Sequence, residues 1–517
     1  MKLQLKSFVP FIIAAGMTGS VFAATVDSSI PTQKKHVHHV KKGNNVNHAN
    51  NTSNSAQHIE QTPVTTNTPP IQEQLTGKQI VKLISQEKEY LPFDLDVPGQ
   101  AFVSTGPYVG VPIQFAGSNL VVNSPSVNND LQLLNIRKNI ITQLRAMGGE
   151  IYNEPYHSHL LFSGQVEASA GYLNVGGSPS TSDIDLSAVA LDAFFIGPSD
   201  WTLGFVEFSY EDASPLFSPY GSQYHSSYTV SNSRVFVNKG FITIGDLAVS
   251  PYYGTIGQYY VPFGVYSSVM ISDPLTKGLT RTKARAILYG FEERGENAWY
   301  GAGYIFRGDS HAASVDKVNN GGLNLGYKFV NKIIHGKAGV GVIGNIADSG
   351  GMQIGNNFMA FEQIQHRVPG YDAHANIGIG EHVDLIGEYV TASTQFNPND
   401  MSFNGHGAKP SAVDLEGAYS FTILGDRPSA AGIGYSKSNQ ALSLGEPLKR
   451  YYAVLTTSLW RNTLQAIELR HDQNYAASDT ANGPVGAITP PSTCSAAACS
   501  QTGKGDNAIT ASFDYYF

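Results

Sequence analysis

The chain has 517 residues, of which 14% are charged, with 53 Gly, 27 Tyr, 25 Phe and only 2 Cys, a net charge of -8 and a pI near 6.0. Low charge combined with many Gly and aromatic residues excludes a chain that is disordered throughout, and the acidic balance gives no reason to expect a nucleic-acid partner. After the first residues no apolar run reaches roughly eighteen residues, which argues against a transmembrane helix but not against strands that span a bilayer.

The N-terminus has the pattern of a secretory signal peptide. Lys2 and Lys6 precede an apolar run from Phe8 to Met17, and the residues around Ala23 suit a signal peptidase. We therefore predict a signal peptide over residues 1–23, cut after Ala23, and a mature chain outside the cytoplasm. An uncleaved anchor is the alternative, although the run is short for a membrane span.

Residues 24–74 are predicted to form a disordered linker, because they are rich in Asn, Thr, Gln, Ser, Lys and His and contain little to bury. Several histidines of this stretch are candidate ligands for a transition metal: His36, His38, His39, His48 and His58. They have no fixed spacing and no neighbouring thiol or carboxylate, so a soluble linker is the preferred interpretation. We predict no metal site and no cofactor.

Residues 75–157 have a different composition and are predicted to form a small helical or irregular region. Thr76 can cap a first short helix, and Asn129 or Asp130 can cap a second one that is closed by Gly148 and Gly149. The sequence leaves two placements open for this region, a periplasmic module and a plug inside a barrel.

From residue 158 to the C-terminus, apolar and polar residues alternate with a period of two, as in strands that have one apolar face. About sixteen segments follow this pattern: 158–175, 181–196, 200–211, 230–244, 250–260, 279–292, 296–307, 320–331, 334–346, 370–380, 382–394, 410–423, 428–439, 449–460, 463–474 and 506–517. An even number of this size predicts an all-β fold, a transmembrane antiparallel β-barrel of about 16 strands.

The links between these segments alternate in length. Short links such as residues 197–199 and 461–462 are followed by long ones such as 211–229 and 475–505. A barrel with periplasmic termini requires turns at one rim and long loops at the other, whereas a soluble sandwich gives no reason for this alternation. We therefore predict that residues 158–517 form a barrel in the outer membrane of a Gram-negative bacterium, with the N-terminal region in the periplasm.

The last segment is predicted to close the barrel by pairing with the strand that begins near His159. Phe513, Tyr515 and Phe517 lie on its apolar face, and Phe517 ends the chain. By resemblance to other outer-membrane proteins, these three residues would form the signal that the barrel-assembly machinery recognises.

The two cysteines, Cys494 and Cys499, lie close together in the last long loop, within a stretch of Ser, Ala, Pro and Gly. Outside the cytoplasm a disulfide between them is expected, and it would stiffen the loop locally. A metal site is less favoured, because no His or third thiol lies nearby.

Basic residues are predicted to line the lumen. Arg281, Lys283 and Arg285 alternate with small residues on one segment, and a basic charge at the middle of the lipid face would cost about 2–4 kcal/mol, so we expect all three to point into the pore. Four basic residues on other segments alternate with lipid-facing residues in the same way and are also expected to point inward: Arg307, Lys328, Lys337 and Arg450. This basic stripe would attract an anionic solute, and the alternative is a salt-bridged lining that only keeps the lumen hydrated.

No catalytic constellation is evident, and we predict that the protein is not an enzyme. His471 and the many serines lack any spacing that supports a Ser-His hydrolase. The Gly-x-Gly pairs, such as Gly301 with Gly303, lie within predicted strands and are therefore close-packing positions rather than phosphate loops.

One stretch has a recognisable motif, Gly-Gln-x-x-x-Pro-Phe-Gly at residues 257–264. Together with the His/Asn-rich leader, the helical N-terminal region and the terminal Asp514-Tyr515-Tyr516-Phe517, it resembles the LbtU family of siderophore porins. The resemblance extends over most of residues 75–517. Only the Pro-Phe-Gly segment is motif-like, and porins of the O and P type share it.

The resemblance implies an outer-membrane porin or receptor that takes up an iron-loaded, anionic carboxylate siderophore. Two alternatives stay open: a general or anion-selective diffusion porin, and a structural or adhesive surface protein. Because trimers are common among sixteen-stranded porins, a homotrimer is the state to test.

Overall fold

The computed structural model describes residues 130–135, 137, 159–176, 180–196, 201–211, 235–312, 317–355, 363–380, 382–425, 427–460, 463–482 and 502–516. The predicted signal peptide, the linker, most of residues 75–157, the Cys494–Cys499 pair and Phe517 lie outside these residues. Within the described ranges no helix is long and apolar enough to cross a bilayer.

Sixteen strands form the body of the protein. They are β1 (His159–Val175), β2 (Thr181–Ile196), β3 (Thr202–Glu211), β4 (Val235–Gly245), β5 (Tyr252–Tyr260), β6 (Lys283–Glu292), β7 (Ala298–Phe306), β8 (Asn320–Val330), β9 (Ile334–Ile343), β10 (Gly370–Ile379), β11 (Val383–Ala392), β12 (Ser411–Ile423), β13 (Arg427–Asn439), β14 (Lys449–Thr457), β15 (Thr463–Gln473) and β16 (Gly505–Tyr516).

The strands close into one antiparallel barrel. Each strand pairs with the next in the sequence, and β16 returns to pair with β1, with Gln165 opposite Tyr516 and Val175 opposite Asp506. No strand edge of this barrel is therefore left unpaired, which satisfies the backbone groups that lipid cannot hydrogen-bond. The predictions of a closed barrel of about sixteen strands and of a terminal strand that pairs with the first are confirmed.

The two faces of each strand differ in chemistry. On β16, Ile509, Phe513 and Tyr515 are exposed, whereas Thr510 and Asp514 on the opposite phase are buried. The same exposed apolar phase continues around the barrel, for example at Ile242, Ile287, Leu415, Ile433 and Leu469. An apolar band of this extent outside a polar inner face is the exterior of a barrel that is embedded in lipid.

The links confirm two unlike rims. At the end of the barrel where β1 begins and β16 stops, strands are joined by turns such as 331–333 and 424–426. At the opposite end they are joined mostly by long loops, among them 261–282, 344–369 and 393–410. These two ends are called the turn rim and the loop rim.

The loops contain short elements that the alternation pattern does not predict. The loop after β5 contains α1 (Leu275–Thr280), and the loop after β9 contains a 3-10 turn, Ile346–Asp348, and α2 (Gly350–Gly355). The predicted strand 279–292 therefore begins only at Lys283, because its first residues complete α1. Before the barrel, residues 130–135 and 137 are helical, and Asp130 Oδ1 accepts a hydrogen bond from the Leu131 N–H at 2.9 Å.

Candidate functional site

The loop between β5 and β6, residues 261–282, is the central feature of the lumen and is called the inner loop. It starts at Val261-Pro262-Phe263-Gly264, where Val261 and Phe263 are fully buried. Gly264 has a φ of +76°, a left-handed conformation that glycine adopts without strain, and it reverses the chain direction there. The loop returns to the barrel wall through α1.

Glu388 on β11 holds the first part of the inner loop. Its Oε1 accepts the Val265 N–H at 2.6 Å, and its Oε2 accepts the Tyr266 N–H at 3.1 Å and the Thr276 hydroxyl at 2.8 Å. One buried carboxylate thus binds both the start of the inner loop and α1. Such charge-assisted bonds are the strong class of protein hydrogen bonds.

Two further wall carboxylates hold the next residues of the loop. Glu416 on β12 accepts the Ser268 hydroxyl at 2.6 Å and the Val269 N–H at 2.7 Å. Glu468 on β15 accepts the Ser272 N–H at 3.0 Å. The anchors therefore follow the loop in order, strand by strand, around the inner wall.

Basic side chains complete the attachment. Arg450 on β14 forms a bidentate ion pair with Asp472, at 2.8 and 3.1 Å, and donates to the Asp273 carbonyl oxygen at 2.9 Å. Arg470 donates to the Ser272 hydroxyl at 2.8 Å. These cations bind loop oxygen atoms and a wall carboxylate together, so much of their charge is neutralised locally.

The underside of the inner loop is apolar and packs on the wall. Val269 and Met270 are buried in one cluster with Ile386, Tyr452 and Val454. A Cβ added to Gly432 of β13 would lie 2.8 Å from Val269 Cγ2, so only glycine lets the loop approach this strand so closely. The inner loop therefore lies flat against β11–β15 inside the barrel.

The loop after β9 rests on the inner loop. Ser349 donates its hydroxyl to the Leu279 carbonyl oxygen at 2.8 Å, and the Gly350 N–H binds the Arg281 carbonyl oxygen at 3.0 Å. Gly278 and Gly351 meet where α1 and α2 touch, and a Cβ on Gly351 would lie 1.7 Å from the Gly278 carbonyl oxygen. This contact stabilises α1 from the side away from Glu388.

This packing raises the pKa of two titratable groups in the loops. Burial raises the pKa of the Tyr266 hydroxyl well above its usual range, and that hydroxyl donates to the Phe263 carbonyl oxygen. Glu446, in the loop 440–448, packs against α1, where a Cβ on Gly278 would meet its Oε1. Burial raises the pKa of Glu446 to about 7, while nearby Arg450 lowers it and Asp472 raises it.

Residues 130–135 and 137 lie against the other side of the lumen. Thr255 on β5 donates to Asp130 Oδ2 at 2.7 Å, and Arg137 donates from Nη2 to the Gly245 carbonyl oxygen at 2.8 Å. Both Asp130 and Arg137 are buried. Because Thr255 points into the barrel, these contacts place residues 130–135 and 137 against the inner wall.

The wall beneath this segment is unusually apolar for the inside of a barrel. Leu131, Leu133 and Leu134 share one buried cluster with inward aromatic residues of β2–β5 and β7: Phe194, Phe205, Phe241, Tyr253, Tyr259, Tyr300 and Tyr304. Exposing such a surface to a water-filled lumen would cost about 25 cal/mol for each Å². The sector therefore needs a cover, and the described helical residues supply part of it.

Two of the seven residues predicted to line the lumen face outward, and two more lie outside the strands. Lys283 and Arg285 share their phase on β6 with Ile287 and Tyr289, which are 54% and 64% exposed on the outer face. Arg281 precedes β6 and caps α1, with its guanidinium 4.7 Å from the centre of the Tyr260 ring. Arg307 follows the end of β7 and is exposed.

The phase argument failed because Lys283 and Arg285 are the first and third residues of their strand, close to the loop rim. An outward basic residue costs several kcal/mol at mid-membrane but only about 0–1 kcal/mol near an interface. The remaining three predicted residues do point inward. Lys328 on β8 pairs with Glu292, and Lys337 on β9 lies directly opposite Lys328. Arg450 is on β14, away from these strands, and binds Asp472 on the adjacent β15, so the three residues do not form one stripe either.

Asp372, His374 and Glu388 are the one group of described residues close enough to hold a metal ion, with ligand atoms within 4.8 Å of one another. His374 Nδ1 lies 3.0 Å from Asp372 Oδ2. However, both oxygens of Glu388 already accept hydrogen bonds from the inner loop, and an ion would have to displace that loop. We therefore assign this cluster to loop attachment.

A lipid-facing barrel of sixteen strands whose lumen contains an attached loop is a porin-type barrel of the outer membrane. The chain also belongs to the UPF0422 family. It is 35% identical over 417 residues to the UPF0422 protein of Coxiella burnetii strain RSA 493, covering 80% of this chain and 84% of the relative. It is 34% identical over 430 residues to a UPF0422 protein of Legionella pneumophila strain Lens, covering 80% and 76%. No known family model matches the chain.

Solved structures of outer-membrane barrels resemble the chain weakly. The outer membrane channel DcaP of Acinetobacter baumannii aligns with a TM-score of 0.44 at 12% identity, over 70% of this chain and 97% of that one. Salmonella typhi OmpF, in a complex with daunomycin, aligns with a TM-score of 0.41 at 12% identity, over 69% and 97%. The pairing of the strands themselves, rather than these likenesses, defines the fold.

Replacing Glu416 by Gln should loosen the inner loop. The amide keeps one acceptor oxygen but loses the charge, so the bonds to Ser268 and Val269 should weaken by about 1–3 kcal/mol. Hydrogen exchange of residues 265–272 should then become about tenfold faster or more. Asp192→Asn is the matched control, because Asp192 is a buried inward carboxylate on β2. Equal exchange in both variants would contradict the anchoring role.

Acidity should strengthen the contact between loop 440–448 and α1. The folded pKa of Glu446, about 7, lies above its ordinary value of 4.5, so the neutral form is favoured in the packed state. The stabilisation is therefore fully present below the ordinary pKa and is lost as pH rises through about 7. Protection factors for residues 275–282 should be higher at pH 5 than at pH 8, and Glu446→Gln should remove the difference. A pH effect that persists in Glu446→Gln would rule out this group as its source.

Proposed function

We propose that the protein is an outer-membrane channel for small polar solutes, with an aperture set by the inner loop and with residues 130–137 as a plug. The attachment of the inner loop to Glu388, Glu416 and Glu468 carries this proposal. A loop that is held inside a barrel by buried charge narrows the lumen at a fixed place. Solutes would then be selected by the size and charge of the remaining passage.

The orientation is part of the proposal. Both ends of the barrel sequence, at β1 and β16, lie at the turn rim. Barrels of the outer membrane have short periplasmic turns and longer extracellular loops. The turn rim would therefore face the periplasm, from which residues 130–137 would enter the lumen.

Channel function requires that the plug leave the lumen or leave a passage beside it. Its attachment combines an apolar contact with polar bonds from Asp130 and Arg137. Leu134 is almost fully buried within that contact. A charge at this position would favour release of the plug, because a buried unpaired carboxylate is strongly unfavourable.

The test is ion conductance of the full chain in planar bilayers. We expect Leu134→Asp to raise the open probability or single-channel conductance several-fold over wild type. Leu134→Met, which conserves volume and apolarity, should behave as wild type. Identical traces for all three proteins would contradict the plug, and no conductance in any of them would contradict the channel.

A ferric siderophore is the second candidate for the transported solute. The resemblance to LbtU siderophore porins suggests it, and a ferric carboxylate chelate would be anionic. Lys337, on the inner face of β9 and directly opposite the Glu292-bound Lys328, is the basic residue that favours such a solute. The many wall carboxylates, which are held by loop donors, make a uniformly basic lining an incorrect description of the lumen.

Uptake by whole cells distinguishes the two candidates. A deletion strain that carries the wild-type gene should grow on a ferric carboxylate siderophore as the sole iron source, and Lys337→Gln should slow iron uptake several-fold. The same variant should admit an uncharged sugar of similar size at the wild-type rate. Equal uptake of chelate by the deletion strain would exclude the siderophore role while leaving the diffusion channel intact.

A further inference from the structure

Two lysines face each other on the outside of the barrel. Lys437 on β13 is registered directly opposite Lys449 on β14. Both share their phase with exposed apolar residues, Ile433 on β13 and Leu455 on β14, and so point away from the lumen. Like charges directly opposite each other in a sheet are unfavourable. The described part of the chain gives neither lysine an ion-pair partner.

The outward residues next to the lysines along β13–β15 show how deep in the membrane the lysines lie. Two residues closer to the turn rim, Tyr435 lies opposite Tyr451, with ring centroids 5.2 Å apart. The ring centroid of His471 on β15 lies 6.4 Å from that of Tyr451. The next row contains Ile433 and Leu469, which are 71% and 54% exposed. Aromatic residues mark the boundary between hydrocarbon and headgroups. The lysines lie two residues, about 7 Å along the tilted strand, beyond that boundary, at headgroup depth.

The distribution of charged residues between the two faces of the strands also indicates a basic outer surface. The buried carboxylates of the strands lie on the inward phase, for example Asp192, Glu292, Asp384 and Asp514. The charged strand residues on the outward phase, among the described side chains, are basic: Lys283, Arg285, Arg427, Lys437 and Lys449. The outer surface is therefore complementary to negatively charged lipid headgroups rather than to cations.

We propose that Lys437 and Lys449 bind a phosphate of lipid A, the phosphorylated glycolipid of the outer leaflet. The phosphate would lie between the two ammonium groups and relieve their repulsion. The acyl chains would lie along Ile433 and Leu455, and the sugar would lie at the level of Tyr435 and Tyr451. The choice of leaflet rests on the orientation given with the proposed function, which places the loop rim outside. Lys283, opposite Tyr260, and Arg285, opposite Gln258, form a second outward basic pair at the same rim on β6.

Native mass spectrometry of the purified full chain tests this site. The protein is mixed with equal amounts of diphosphorylated lipid A, dephosphorylated lipid A and phosphatidylglycerol. Wild type should retain diphosphorylated lipid A preferentially, and the double variant Lys437→Gln/Lys449→Gln should retain about tenfold less. Arg427→Gln is the matched control, because Arg427 is an outward basic residue at the opposite end of the same strand. It should retain lipid A as wild type does.

Three results would overturn the proposal. The first is equal retention of lipid A by wild type, the double variant and Arg427→Gln. The second is preferential retention of phosphatidylglycerol, which would place the pair in the other leaflet. The third is a change of oligomeric state in the double variant without loss of lipid, which would assign the lysines to a contact between copies of the chain. Conductance of the double variant should equal that of wild type, so a failure here leaves the channel proposal untouched.

Discussion

Buried carboxylates on the inner wall of the barrel need hydrogen-bond donors, and the inner loop needs acceptors for its backbone N–H groups. The loop N–H groups donate to the wall carboxylates, so each group satisfies the other. Glu388, Glu416 and Glu468 accept from the loop, which would otherwise leave N–H groups unpaired away from water. An unpaired buried polar group costs about 1–3 kcal/mol, so neither the loop nor the wall carboxylates are stable without the other. The position of the loop in the lumen, and hence the shape of any passage, depends on these hydrogen bonds.

The lumen has two unlike sectors as a result. The wall of β11–β15 holds the inner loop through bonds to its carboxylates as well as by apolar packing. The wall of β2–β5 and β7 is aromatic and is covered in part by residues 130–135 and 137. Electrostatic attachment fixes geometry tightly, while an apolar contact can separate and re-form with less dependence on direction. The inner loop is therefore attached mainly by hydrogen bonds to buried carboxylates, and the N-terminal segment by a larger share of apolar contact.

The sequence was sufficient to predict the barrel, because alternation and link length are local signals that repeat sixteen times. It was also sufficient for the closure of the barrel, since the backbone edge of a last strand in lipid must pair with another strand. The attachment of the inner loop was not predictable in this way. The bonded residues are separated by 123, 147 and 196 positions in the chain, and no local pattern relates Val265 to Glu388. The wall carboxylates could be placed on the inward phase, but their partners could not be identified. The error at Lys283 and Arg285 has a related cause, because α1 shortens the strand and moves both residues to the rim, where an outward charge costs little.

The most direct test of the account is a disulfide between the inner loop and the wall. Val269→Cys and Gly432→Cys, in a background with Cys494→Ser and Cys499→Ser, would place two sulfur atoms where Val269 now meets β13. Mass spectrometry of peptides from the oxidised outer-membrane protein should show this cross-link in most molecules. Val269→Cys with Ala431→Cys, whose second position faces outward on the same strand, should show none. Absence of the first cross-link in correctly assembled barrels would contradict an inner loop that lies against the lumen wall.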